Sequence, residues 1–452
     1  MEDSKNFYVG IDWGNGFHQA CQVNDKGQSI GSLKADHDSQ GIASLIEWLH
    51  AISPKDHSLV HIGIETNHGT LVEAIALHGF TLFALNPKQT DRYRDRYSSS
   101  GAKDDKRDAY IIANAVRTDE VQLRQVILDP LEILTLREVA RDLEQTKGDL
   151  QICANRLWNH LHRYYSSLLK LCPAANEAWL WELLVAAATP EKGRRLHFET
   201  LEKLLKRHRI RRFSAQQLRD NLHLDPLPVA PGVADITARS VLLLVSRLEL
   251  LHGQAKELEL QQKRFLDKME SGFPPDLPSD APSPPSAAAS EDREAVVNLA
   301  SEFAPASQAP QVFPDAAILR SFPGVGANVS VAFLCEANAA LSSRDLCGLR
   351  SLSGVAAVTK QSGKRCLVSM RRSCSLRLRN AMHHWANVSI QANAHFRSIY
   401  DRMRAAGKNH ARALRGLGEH LLRVLIGALN SGTLFDAQKQ KSTGLQEIPQ
   451  GA

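Results

Sequence analysis

The chain has 452 residues, of which 43% are hydrophobic, as expected for a protein with two or three packed domains. It contains no apolar run long enough for a membrane span and begins without the basic and apolar stretches of a signal peptide, so we expect neither. Its seven cysteines form no C-x-x-C pair, which argues against a zinc site and against a disulfide framework.

The first 116 residues alternate apolar strands with amphipathic helices. The patterns predict strands at residues 7–12, 17–24, 28–34, 59–65 and 80–85, and helices near 42–49, 70–78 and 103–116. Three strands followed by helix, strand, helix, strand and helix is the order of a ribonuclease-H-like α/β domain. We therefore predict such a domain over residues 1–125, an assignment that by itself says nothing about chemistry.

Two later segments carry apolar residues at alternating steps of three and four. The first runs from Leu136 to Leu168 and the second from Val241 to Met269. Sustained heptads are typical of a coiled-coil seam, although the core stripe of an ordinary helical bundle gives the same spacing. We predict a helical, coiled-coil region over residues 126–270 and keep the bundle as the alternative.

The composition changes after residue 270. The stretch PPDLPSDAPSPPSAAAS at residues 274–290 predicts a flexible, Pro-rich linker over 271–316. A last, mostly α-helical domain is predicted over 317–436, followed by a disordered tail over 437–452. Between Arg344 and Arg423 there are sixteen Lys or Arg and three acidic residues. Such an excess favours a nucleic acid partner, although a solvated basic face remains possible.

Four carboxylates stand at corresponding ends of the predicted elements. Asp12 ends the first strand and Glu65 ends the fourth, and these strands are neighbours in the predicted fold, so both residues should lie at one edge of the sheet. Asp105 and Asp108 continue the apolar stripe of the following helix toward its start. We therefore expect both to face the sheet rather than solvent.

Converging carboxylates repel one another unless a cation lies between them. Mg²⁺ and Mn²⁺ prefer oxygen ligands, and two such ions about 3.5–4 Å apart stabilise both the attacking and the leaving oxygen of a phosphoryl transfer. We predict that Asp12, Glu65, Asp105 and Asp108 are catalytic and bind Mg²⁺ or Mn²⁺. Helix spacing does not exclude Asp104, and each acid alone would also suit a turn or a helix start.

The N-terminal motifs resemble those of the DEDD transposases of the insertion sequence 110 family, relatives of the Piv-type DNA invertases that carry a RuvC-like domain. They are G-I-D at residues 10–12, I-E at 64–65, N-P at 86–87 and K-x-D-x-x-D-A at 103–109. The last motif resembles the family pattern with Asp105 and Asp108 as its acids, which disfavours Asp104.

The C-terminal part is similar to the same family. Residues 318–334 contain its Pro-Gly-x-Gly turn, and Gly354 followed by Ser362-Gly363 resembles its serine motif. The chain departs from the pattern at Ala357, where the family often has proline, and at Cys374, where glycine is frequent. The resemblance covers about residues 1–170 and 317–436.

The resemblance implies a DNA recombinase that excises and inserts a mobile element. The acids of one subunit would act beside the serine of another, and that serine, Ser362, would attack a DNA phosphate and become joined to it. A structured bridge RNA would pair with donor and target DNA. The implied protein is a dimer or tetramer in the bacterial cytoplasm, associated with the nucleoid. The cations expected to contact nucleic acid are Lys360, Lys364, Arg365, Arg371, Arg372 and Arg379.

Four alternatives remain at this stage. A RuvC-like junction nuclease would use the same acids with water as the nucleophile, and a Piv-type enzyme would invert a DNA segment. An actin-like kinase is suggested by GIDWG at residues 10–14, but the further glycine-rich phosphate loops that it requires are not found downstream. A non-catalytic nucleic-acid binder would not need all four acids.

Overall fold

The computed structural model describes residues 6–97, 104–230, 232–271, 314–363 and 365–436. The chain divides into two compact units, residues 1–130 and residues 131–452. The predicted linker falls mostly outside the described residues, as do Lys364 and the predicted tail.

The first unit is a mixed α/β domain with a six-stranded sheet in the order β3-β2-β1-β4-β5-β6. Its strands are β1 (Phe7–Trp13), β2 (Phe17–Val23), β3 (Ser29–Asp36), β4 (Val60–Ile64), β5 (Thr81–Ala84) and β6 (Arg124–Gln125). Its helices are α1 (Ser39–Ile52), α2 (Thr70–Leu77), α3 (Pro87–Tyr97) and α4 (Asp105–Asp119). β1 runs parallel to β4 and antiparallel to β2. This arrangement is consistent with the predicted ribonuclease-H-like fold.

One α-helix and one strand of this unit were not predicted. α3 has the sequence PKQTDRYRDRY and buries only Thr90, so it shows no apolar stripe by which a helix could be predicted. β6 has only two residues and pairs with the edge of β5.

The close packing of α4 on the sheet depends on two glycines. Gly10 in β1 and Gly63 in β4 are neighbours in the parallel register. A Cβ atom at Gly10 would lie 2.1 Å from the carbonyl oxygen of Ala109 and 2.3 Å from the amide nitrogen of Ala113, both in the α4 backbone. A Cβ atom at Gly63 would lie 2.7 Å from a methyl group of Ile112. The helix therefore lies directly against the two strands where neither carries a side chain.

Contacts at the β2–β3 turn fix the direction of α4. The hydroxyl of Tyr110 donates to the carbonyl of Gly27 at 2.9 Å, and Arg117 donates to the carbonyl of Asp25 at 3.1 Å. This turn adjoins the beginning of β1, because Val23 pairs with Tyr8. The end of α4 thus lies at the beginning of β1, and the start of α4 points toward the edge where β1 ends.

The second unit is almost entirely helical. Its first part contains α5 (Leu131–Tyr164), α6 (Ala178–Ala186), α7 (Pro190–Arg194), α8 (Phe198–Arg207), α9 (Ala215–Leu222) and α10 (Val233–Ser271). Its last part contains α11 (Pro314–Arg320), α12 (Ala327–Ser342), α13 (Leu346–Leu352), α14 (Leu376–Ala392), α15 (Ala394–Ala405) and α16 (His410–Ser431). Between α13 and α14 lies a two-stranded hairpin of β7 (Val358–Ser362) and β8 (Arg365–Ser369).

The two heptad segments form one helix pair within the chain. Lys147 of α5 makes an ion pair with Glu259 of α10 at 2.7 Å. Leu157 packs in the same core as Val241, whereas Leu136 packs in the core that includes Phe265, so the two helices run antiparallel. Heptad positions of each helix are therefore buried within one chain. Coiled-coil geometry remains a prediction, since an ordinary bundle buries the same positions.

The regions predicted as 126–270 and 317–436 share a core. Ile133 and Leu136 of α5 and Leu266 of α10 belong to the same buried cluster as Phe333 of α12 and Trp385 of α14. One compact unit therefore contains both regions. Within the described residues, no helix is long and apolar enough to cross a membrane.

We expect Gly10→Ala to lower the stability of the first unit, because the new Cβ atom cannot fit against the α4 backbone. Overpacking of this kind costs about 1–3 kcal/mol, and the cost rises when only backbone can move. Gly16→Ala is the matched control, since a Cβ atom there would meet no described heavy atom within 4 Å. Thermal unfolding of both variants measures the difference. Equal midpoints would contradict the close packing of α4 on β1.

Candidate active site

Two of the four predicted acids lie at one edge of the sheet. In the parallel register of β1 and β4, Ile11 stands opposite Ile64. Asp12 follows Ile11 in β1, and Glu65 follows directly after β4, so both residues leave the sheet at the same edge. Both are half-buried.

The start of α4 brings the other two acids to this edge, in different environments. Asp108 is buried, with 1% of the residue exposed, whereas Asp105 is exposed. The expectation that Asp105 faces the sheet is therefore wrong, because Asp105 is the first residue of the helix and lies one turn before the buried stretch that begins at Asp108. Asp104 occupies the N-cap position, is exposed, and makes no capping hydrogen bond with its side chain.

Asp108 is held by an arginine of the preceding helix. Arg94 of α3 donates from Nε to Oδ1 of Asp108 at 2.8 Å and from Nη2 to Oδ2 at 3.0 Å. Only 16% of the Arg94 side chain and 2% of the Asp108 side chain are exposed. The hydrogen bonds to Asp108 raise the pKa of Arg94 above its usual value, so the guanidinium stays charged. Arg94 also pairs with the exposed Asp91 at 2.6 Å.

The edge fits a divalent metal in its chemistry, but its present conformation does not form a closed ligand set. Carboxylate oxygens are the ligands that Mg²⁺ and Mn²⁺ prefer. Among the described residues, however, no three His, Cys, Asp or Glu residues are arranged to hold a metal ion. Asp108 directs both oxygens to Arg94, which supplies the positive charge that a buried carboxylate requires. A metal ion at Asp108 would compete with Arg94 for this carboxylate.

Ser362 lies at the tip of the hairpin in the second unit. It is the last residue of β7 and pairs with Arg365, the first residue of β8. Gly363, which follows Ser362 directly, has the left-handed backbone conformation, with φ +55°, that favours glycine. Ser362 is exposed. The hairpin was not predicted, because the sequence VTKQS is short and mostly polar and gives only a weak strand pattern.

The base of this hairpin is where the chain departs from the family pattern. Gly354 has a φ of +68°, and a Cβ atom there would lie 3.0 Å from the sulfur of Cys374. Ala357 is exposed and immediately precedes β7. Both departures therefore lie near the base of the hairpin and away from Ser362.

Four of the cations predicted to bind nucleic acid are not neutralised by the described residues. Lys360, Arg371, Arg372 and Arg379 form no ion pair with any described acidic residue. Lys364 lies outside the described residues, and for Arg365 only the backbone is described. Other arginines of the same basic segment are paired with acids: Arg344, Arg350, Arg377, Arg397 and Arg423.

Sequence reasoning missed Arg94 and the glycine pair. Arg94 belongs to a helix of alternating acidic and basic residues, where nothing distinguishes it from Arg92 or Arg96. Gly10 and Gly63 stand in G-I-D and G-I-E, each two residues before a predicted ligand. Because side chains alternate along a strand, this spacing could have indicated a helix lying on the same face as the acids.

Comparison with known proteins gives consistent results for both parts of the chain. Residues 9–166 match a family model described as a DEDD transposase of the IS110 type, and residues 316–401 match one described as Transposase IS116/IS110/IS902 family. The carboxylate edge lies within the first matched segment, and the serine hairpin lies within the second.

Two relatives extend these matches. A putative transposase y4uE of Sinorhizobium fredii is 38% identical over 216 residues, which cover 48% of this chain and 60% of that relative. A mini-circle putative transposase for IS117 of Streptomyces coelicolor is 28% identical over 453 residues, covering 98% of this chain and 99% of the relative. The second similarity therefore spans both units.

We expect Arg94→Ala to couple the stability of the first unit to divalent metal. Without metal, the substitution leaves the buried Asp108 charge unpaired, which costs about 3–5 kcal/mol. A bound metal ion would restore a positive charge there, so Mg²⁺ should raise the thermal unfolding midpoint of the variant more than that of the wild-type chain.

Arg96→Ala is the control for this experiment. Arg96 lies on the same helix, but 59% of its side chain is exposed and its distance to Asp119 is 3.9 Å, which is long for an ion pair. Its loss should therefore change the unfolding midpoint little, with or without Mg²⁺. If Mg²⁺ raised the midpoints of Arg94→Ala and Arg96→Ala by the same amount, Arg94 would not occupy the place of a metal.

Proposed function

Because this chain belongs to the IS116/IS110/IS902 family of transposases, we propose that it cuts and rejoins DNA strands to excise and insert a mobile element. The observation that most supports this function is that Asp12, Glu65 and the start of α4, with its two acids, lie at the same edge of the sheet. The name of the Streptomyces relative refers to a mini-circle, which supports a circular form of the element as the substrate.

In the proposed mechanism the four acids hold a divalent metal, Mg²⁺ or Mn²⁺. When bound, the metal would lower the barrier to phosphoryl transfer by stabilising negative charge on the reacting oxygens. Asp12 and Glu65 would contribute from the ends of neighbouring strands, and Asp108 would contribute after Arg94 releases it. Asp105 is exposed at the start of α4 and would complete the set from the solvent side.

We assign the nucleophile to Ser362. Its hydroxyl oxygen would attack a phosphorus atom of the DNA backbone, forming a serine–phosphate ester as one strand P–O bond breaks. The serine proton would end on the released DNA hydroxyl, so the step exchanges one phosphodiester for another and needs no external energy. The exposed position at the tip of a hairpin supports this role, since a DNA strand can approach it from several directions.

The unneutralised cations beside Ser362 support binding of a polyanion on the same hairpin. Lys360 lies two residues before Ser362 on β7, and Arg371 and Arg372 follow β8. Such side chains hold nucleic acid backbones and offset charge that develops at phosphorus. Donor DNA, target DNA and a bridge-type RNA are the partners that we propose for this surface.

The acids and the serine belong to different compact units. A site that combines them within a dimer or tetramer, with acids of one subunit and the serine of another, is therefore part of the proposal. The heptad positions of α5 and α10 are buried within one chain, so they are not assigned to the subunit contact.

Two related reactions are alternatives. A RuvC-like nuclease or junction resolvase would use the same acids with water as the nucleophile and would leave Ser362 without a role. A Piv-type invertase would use the same chemistry to invert a segment. The family matches in both units favour transposition over the nuclease, because the second match includes the serine hairpin.

We expect a protein–DNA adduct through Ser362 when the reaction is stalled on a nicked or mismatched donor substrate. Mass spectrometry of the digested complex should locate the nucleotide on Ser362, and Ser362→Ala should give no adduct. Ser398→Ala is the control, since Ser398 is an exposed serine of α15 outside the hairpin. Free DNA ends without any adduct would favour the nuclease, and an adduct at another residue would overturn the serine assignment.

A further inference from the structure

A positively charged cleft lies beside the base of the serine hairpin. The cleft has a volume of about 570 Å³ and is bounded by the hairpin residues Val368, Ser369 and Met370 on one side. Lys408, Arg412 and Arg415, at and just before the start of α16, bound the other side. We call this site the cation cleft.

The three cations of the cleft have no neutralising partner among the described residues. None of them forms an ion pair with a described acidic residue, and the backbone carbonyl of Lys408 only accepts a hydrogen bond from Arg404 at 2.8 Å. Glu419 also borders the cleft, but it is bound by Arg350 at 3.0 Å and by Arg423 at 2.7 Å. The described residues therefore leave a net positive charge in the cleft.

Two of these cations, Arg412 and Arg415, also lie near the N-terminus of α16, where positive side chains are unfavourable. The N-terminus of a helix carries a partial positive charge and favours acidic residues in the first turn. α16 has no acidic residue in its first turn, and Arg412 and Arg415 lie within its first two turns. A local arrangement that opposes stability is typical of a functional site, and here an external anion would remove the conflict.

The walls of the cleft fit a nucleic acid strand better than a free ion. Val355, Ala357 and Met370 form apolar surface beside the cations, and a second cavity of about 260 Å³ shares Val355, Met370 and Arg415 with it. Apolar surface suits the sugar and base parts of a nucleotide, while the arginines suit its phosphate. β8 connects the cleft directly to the hairpin tip that carries Ser362.

We infer that the cation cleft binds the phosphodiester backbone of the strand that is presented to Ser362, through Lys408, Arg412 and Arg415. The inference rests on the proposed function, because it takes Ser362 as the nucleophile. It adds a binding site on α16, apart from the hairpin cations. A strand held at both places would be positioned along the hairpin before Ser362 reacts.

The test measures binding of the full-length protein to a fluorescein-labelled DNA duplex, the matching single strand and an RNA of the same sequence. Affinities are determined by fluorescence anisotropy over a range of salt concentrations. We expect Arg412→Gln combined with Arg415→Gln to weaken binding about tenfold or more. The slope of log affinity against log salt should fall by about 0.7–0.9 for each lost contact. A loss of DNA binding supports the inference, whereas a loss confined to the RNA probe would overturn it, because the strand that Ser362 attacks is DNA.

Arg397→Gln is the matched control, because it removes the same charge from an exposed arginine of α15 that is already paired with Asp401. Thermal unfolding of each variant verifies folding. If Arg415→Gln lowers the thermal unfolding midpoint, Lys408→Gln combined with Arg412→Gln is used in place of the first double variant, because Lys408 and Arg412 are both exposed. Cleft variants that bind every probe like Arg397→Gln would overturn the inference and leave the proposed function intact. A wild-type chain that binds none of the probes would overturn both.

Discussion

The direct contact between α4 and two neighbouring strands is the constraint on which the candidate site depends. Gly10 and Gly63 stand side by side in β1 and β4, and neither has room for a Cβ atom beneath the helix. Because α4 lies this close and runs against the direction of β1, its start comes to the edge where β1 and β4 end. The acids at the start of the helix and those at the strand ends, 40 or more residues apart in sequence, are thereby placed in one region.

This arrangement concentrates negative charge, and the fold balances part of it with Arg94. A carboxylate as buried as Asp108 is stable only with a partner, and the bidentate contact to Arg94 provides it. In the same contact both oxygens of Asp108 accept hydrogen bonds from Arg94. A charged side chain and a metal ion would then compete for one carboxylate, so assembly of the site would depend on a movement of α3 or of the Arg94 side chain alone.

Much of the fold could be predicted from the sequence, because buried strands and amphipathic helices have regular apolar spacing. The strands from β1 to β5 and the helix that carries Asp108 follow from that spacing, as do the ends at which Asp12 and Glu65 stand. The spacing failed for α3, which buries one residue, and for the β7–β8 hairpin, which is mostly polar. It also failed for the environment of Asp105, because helical spacing gives a direction around the axis but not where the sheet ends. The partner of Asp108 depends on tertiary packing of α3 and has no signal in the sequence.

The most direct measurement is anomalous diffraction from crystals of the protein bound to DNA and soaked with Mn²⁺. The account predicts manganese density between Asp12, Glu65 and Asp108 at the end of β1, with the Arg94 guanidinium displaced from Asp108. Manganese at another site, or Arg94 still bound to Asp108 in a DNA complex that contains manganese elsewhere, would contradict it.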